Sequence, residues 1–116
     1  MAGCVLRVEG RHLACPRTLQ QISTSDNGFV INIGNADGNQ FQKQVDDAIA
    51  FLRRHSAGLQ ALTSASGFKS AEVDFGVWNK APDVVAQSHS FPPKLIALAD
   101  KYHLILTVSV YLASDS

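Results

Sequence analysis

The chain has 116 residues, the size of one domain, and its ten Lys/Arg balance ten Asp/Glu for a formal charge of zero. With no basic or acidic half, that balance argues against electrostatically driven binding to nucleic acid or to an anionic membrane. The 46% hydrophobic content is that of a globular chain rather than a disordered one.

In chain order, the first strand is expected over Cys4 to Glu9, with Cys4, Leu6 and Val8 on one side and Val5, Arg7 and Glu9 on the other. Gly10 ends it. Residues 16–22 read as a short helix opened by Pro16, and residues 23–28 as a polar turn. The second strand, Phe29 to Ile33, alternates again. A loop over residues 34–39 leads into a helix over roughly 40–55, where Phe41, Val45, Ala48, Ile49 and Leu52 make an apolar stripe and Gln44 falls outside it. Ser56 is placed to cap a shorter helix that carries Leu59 and Leu62, stopped by Gly67. The third strand, about Ala71 to Trp78, sets Val73, Phe75 and Val77 against Glu72, Asp74, Gly76 and Trp78. A long loop over 79–91 ends at Pro92 and Pro93, which open a helix striped by Leu95, Leu98, Ala99 and Tyr102. The last strand is Leu104 to Leu112.

Every expected strand has one apolar and one mixed face. A parallel sheet covered on both sides would show nearly continuous apolar strands instead. The expected fold is therefore a single α/β (α+β) domain over residues 1–116. It is a two-layer sandwich of a four-stranded, mixed or mostly antiparallel sheet with helices on one face. The other face should present Arg7, Glu9, Asn32, Glu72, Asp74, Trp78, Thr107, Ser109 and Tyr111, with Val5, Val30 and Ile105 between them. Three readings of that face compete. It is a solvated surface laced by cross-strand ion pairs, Arg7 with Glu72 or Asp74, a protein-binding patch, for which aromatic residues and an arginine are the characteristic composition, or a small-ligand site.

Recognisable chemistry is sparse. No phosphate-binding loop is present, and Gly34 and Gly38 read as turn glycines. The Asn35 to Asn39 stretch has part of a calcium-loop pattern. Its register puts Ile33 and Gln44 where acidic ligands belong, which excludes calcium. His12, His55, His89 and His103 are scattered without metal-ligand spacing, so neither a metal nor another cofactor is expected. His89, in the long loop, is the one histidine kept as a candidate. Three cations at a helix end, Arg53, Arg54 and His55, complement its dipole. Glu72 and Asp74 share a strand face and are candidates for acid–base work if one is not paired with Arg7 or Lys69. Cys4 and Cys15 form no C-x-x-C pair and read as free thiols of a cytoplasmic protein, Cys15 before a helix start. No signal peptide or membrane-spanning segment is visible.

Four segments carry a resemblance: Ala48-Ile-Ala-Phe-Leu-Arg53, Val73-Asp-Phe-Gly76, Phe91-Pro-Pro with Leu95 and Leu98, and Leu106-Thr-Val-Ser-Val-Tyr111. In these the C-terminal two thirds resembles a group of small bacterial α/β domains, some grouped with immunity proteins of toxin systems. The resemblance implies an α/β fold and a non-enzymatic role, and it supplies no catalytic residue. The function expected is that of a small cytoplasmic protein-binding module, immunity-like. It would bind a protein partner or a second copy through Arg7, Glu72, Asp74, Trp78 and Tyr111. The alternative is a small-molecule-binding domain or weak enzyme with its site between the sheet face and the 79–91 loop.

Overall fold

The computed structural model describes residues 3–13, 15, 21–79 and 88–112. Its elements run β1 (Cys4–Gly10), β2 (Gln21–Ser25), β3 (Gly28–Asn32), α1 (Phe41–Arg54), α2 (Ser56–Thr63), β4 (Phe68–Asn79), α3 (Pro93–Lys101) and β5 (Ile105–Leu112). The five strands form one open mixed sheet in the order β2-β3-β1-β4-β5. All pairings are antiparallel except β4 with β5, which are parallel and joined through α3. A parallel pair needs such a crossover, whereas β2 and β3 need only a two-residue turn at Asp26 and Asn27.

The fifth strand corrects the sequence reading. Residues 21–25 pair with β3 instead of ending a helix or lying in a turn; the rest of the expected 16–22 helix lies outside the described residues. β2 is an edge strand, and Thr24 and Ser25 are exposed. Its backbone pairs with β3, and its sequence QISTS carries no hydrophobic alternation that would mark it. Gly28 makes the hairpin possible. Its φ is +151°, and a Cβ there would collide with the carbonyl oxygen of Val8 in β1.

Most of the buried apolar side chains among the described residues form one cluster. Cys4, Leu6 and Val8 of β1, Phe29 and Ile31 of β3, and Val73 and Phe75 of β4 join Val45, Ala48, Phe51 and Leu52 of α1. Leu59 and Leu62 of α2, Leu95 and Ala99 of α3, and Ala71, Tyr102 and Leu104 also belong to it. The expected strand alternation holds in β1 and β3; in β5 it fades at the sheet edge, where Val110, expected on the core side, is exposed, and in β4 Asp74, expected on the open face, is buried. The helix stripe needs two corrections. Ile49 is only half-buried, while Phe51 and Gln44 are buried. Gln44 lies four residues before Ala48 and seven before Phe51, on the same helix side. Its amide Nε2 donates to the carbonyls of Asp37 (2.9 Å) and Gly76 (2.8 Å), tying the loop before α1 to β4. A buried glutamine is tolerated because its amide nitrogen is hydrogen-bonded to two carbonyls.

The helix ends also differ in detail. Ser56 is the first residue of α2 and His55 its N-cap, with no side-chain capping bond. Pro92 and Pro93 stand at the N-cap and first turn of α3, as the sequence suggests. At the other end of α3, the N–H of Leu104 donates to Ala99 O (2.8 Å) and that of His103 to Asp100 O (3.2 Å). This pattern closes a helix through one left-handed residue. That residue is His103, with φ of 56°.

Candidate functional site on the polar sheet face

The residues of odd number in β1 and β5 and of even number in β3 and β4 fall on the polar face by strand alternation, and the register brings them into rows. Val30, Arg7, Glu72 and Ile105 lie side by side; Asn32, Val5, Asp74 and Thr107 form the next row; Trp78 pairs with Tyr111 further along. All five residues expected to bind a partner therefore share this face, in two groups.

The first group is a charged network. Arg7 donates to Asp74 Oδ2 from Nε (3.3 Å) and Nη2 (3.2 Å), and its Nε lies 3.7 Å from Glu72 Oε1. From β5, Thr107 Oγ1 donates to Glu72 Oε2 and Ser109 Oγ to Asp74 Oδ1, both at 2.7 Å. One guanidinium thus serves two carboxylates, and each carboxylate also holds a hydroxyl on its second oxygen. Asp74 is only 5% exposed, and the Arg7 side chain that neutralises it is 45% exposed. A carboxylate so buried persists because it is paired and hydrogen-bonded at both oxygens. The cross-strand pairing expected for Arg7 is present. Lys69 pairs with Glu9 (3.6 Å) rather than with Glu72 or Asp74.

The second group is aromatic. The rings of Trp78 and Tyr111 meet edge-on with centroids 6.5 Å apart. Trp78 Nε1 donates to Asp37 Oδ1 (3.2 Å), and the same oxygen accepts from Gly38 N (2.6 Å). Gly38 O in turn accepts from Trp78 N (3.2 Å). The loop that hinted at calcium is therefore a seat for the indole. Asp37 was missed by the sequence reading; its place just before Gly38 in a turn was the signal available.

Other candidates fall elsewhere. His89 is half-buried against Phe41 (4.6 Å between centroids), beside Phe75 and Phe91, in an aromatic cluster rather than on the sheet face. Burial pushes the pKa of His55 down, and Arg54 lowers it further, while its ring packs 4.8 Å from Phe51. The helix end is thus served by Arg53 and Arg54, and His55 is weighted toward neutral. Burial pushes the Cys4 thiol strongly up, and the Asp47 and Asp74 carboxylates add to it. Cys15 is raised by burial alone. Neither Cys4 nor Cys15 is in a disulfide. Among the described residues no three His, Cys, Asp or Glu side chains cluster as metal ligands, and no helix is long and apolar enough to cross a membrane.

A concavity of about 340 Å³ lies on the polar face, lined by Arg7, Thr24, Val30, Ser70, Glu72 and Ile105 among others. It is at the far end of the face from Trp78, about 20 Å along the strands at the usual rise per residue. Of the 79–91 loop, residues 80–87 lie outside the described residues, and none of the described loop residues lines the concavity. No protein-family model, curated protein or solved structure matches the chain.

Proposed function

We propose that this chain is a small protein-binding module that works through the polar face of its sheet. The reading takes the helices to be stacked on the opposite face only, in two layers. The single core cluster that joins the helices to one set of strand side chains supports that arrangement. The observation that carries the function is the Trp78–Tyr111 pair, two large aromatic rings meeting edge-on on the same sheet face as the charged network, further along the strands. An aromatic side chain that a carboxylate already orients loses little freedom on binding, so more of its contact energy goes to affinity. Further along the same face, Arg7 and Glu72 are the part-exposed charges that select a partner, and Asp74 fixes Arg7. The narrower form of the proposal is an immunity-like role in the cytoplasm, in which the partner is a toxin that this face blocks. The free thiols and neutral charge fit that setting.

The test is affinity capture from the native cell with the full chain, with Trp78→Ala and with Tyr111→Ala, each checked for folding by circular dichroism. A protein captured by the parent and lost from both folded variants is the expected result. Identical capture by all three would overturn the reading.

A further inference from the structure

We infer that the outer edge of β5 is a docking edge for a second copy of this chain, pairing antiparallel with β5 of the copy so that two five-stranded sheets become one. β5 is the last strand in the sheet order, and no described strand pairs with its outer side. An unpaired edge offers a row of backbone donors and acceptors to any other strand, and natural edges are usually blunted by charge, proline, a bulge or shortness. β5 has none of these. Its sequence, ILTVSVYL, holds no charged residue and no proline, and it runs in unbroken register with β4 from Ile105 to Leu112. The opposite edge, β2, is shorter and has a register shift between Gln21 and Ser23. Among the described residues, two of the three large exposed apolar side chains are on β5: Ile105 is 55% and Val110 is 59% exposed.

The occupant follows from self-complementarity. A twofold axis perpendicular to the sheet keeps the two polar faces on one side, and residues opposite each other must then point to the same face. With Val108 on the axis, Ile105 stands opposite the copy's Tyr111, Leu106 opposite Val110, and Thr107 opposite Ser109. Apolar meets apolar and hydroxyl meets hydroxyl, the pairs that stabilise antiparallel ladders. No charge opposes its own symmetry mate, the usual penalty of an isologous contact. A single strand edge buries less than a standard interface, so the dimer is a weak one that forms in the micromolar range or above.

The inference stands on the strand edge and does not need the polar-face reading; one experiment separates the two. The full chain is followed by sedimentation velocity from micromolar to millimolar concentration, alongside Val110→Lys, Ile105→Lys and Trp78→Ala, with hydrogen exchange of β5 measured at both ends of the range. The expected result is a concentration-dependent dimer whose β5 amides gain protection as it forms. A lysine at position 110 or 105 should weaken it about tenfold or more, and Trp78→Ala should leave it intact. Two lysine variants are used so that one that fails to fold does not decide the matter. A chain that stays monomeric throughout overturns the inference. So does a dimer indifferent to both lysines with unchanged β5 exchange. If that dimer is lost in Trp78→Ala, the association belongs to the polar face instead.

Discussion

Ser109 donates a 2.7 Å hydrogen bond to Asp74 and so ties the parallel edge strand β5 to the middle of the sheet through a side chain as well as through the backbone. Arg7 reaches the same carboxylate from the other flank, in β1. Asp74 is therefore the point where three neighbouring strands are cross-linked on the polar face.

Removing it should be costly. Asp74→Ala leaves a guanidinium and a hydroxyl without their shared acceptor and is expected to cost about 2–4 kcal/mol, whereas Ser109→Ala costs about 1 kcal/mol. Urea unfolding of the single variants and of the Arg7→Ala/Asp74→Ala double variant measures this. A double variant as unstable as the sum of the singles would show that the ion pair contributes nothing.

Phe75 and Ile49 should respond very differently to truncation. Phe75 is wholly buried and packs against Phe41 and Phe91, so Phe75→Ala is expected to cost about 3–5 kcal/mol. Ile49 is half-buried and lines the groove between α1 and α3, so Ile49→Ala should cost about 1–2 kcal/mol. Equal losses in denaturant midpoint at constant slope would contradict the helix register.

His103→Gly should stabilise the protein. The histidine holds a left-handed conformation at the end of α3, where a side chain is strained and glycine is the common residue. Relief of that strain, less the extra freedom of an unfolded glycine, leaves a gain of about 0.5–1 kcal/mol. A rise in Tm is the measurement, and a fall would mean that the His103 side chain makes a contact worth more than the strain.

Stability should rise with pH just below the ordinary histidine range, in part through His55. Its folded pKa is lowered, first by burial and then by Arg54, so the unfolded chain takes up a proton more readily. The contribution is complete above the unfolded pKa of about 6.5 and is lost as pH falls from there toward the folded value. The ring is only half-buried, so the effect is small. His55→Gln should flatten the stability profile between about pH 5 and 7, as followed by thermal melts across that window.

The two thiols should react at different rates. Cys4 is buried in the core with its thiolate disfavoured by burial and by Asp47 and Asp74, so it should react only as fast as the protein opens. Cys15 is half-buried and should react first with a thiol reagent at mildly alkaline pH. Both should be found free by mass measurement without reductant.

The sequence by itself determined which side chains of β1, β3, β4 and β5 share a face, because a strand's period of two admits no other assignment once one set is apolar. Arg7, Glu72, Asp74, Trp78 and Tyr111 could be placed together on that ground alone. The tertiary structure decided what local pattern does not encode. Strand order put Arg7 next to Asp74 across β1 and β4, residues 67 apart in the chain. Pairing with β3 made a strand of residues 21–25, whose sequence carries no hydrophobic period. Gln44 was buried, despite its polarity, because two backbone carbonyls met at its amide, and Asp37 became the seat of Trp78 only when its loop closed on the end of β4. Periodicity reports which way a side chain points. What it meets there depends on segments far away in the chain, and the energy of that meeting belongs to the folded state.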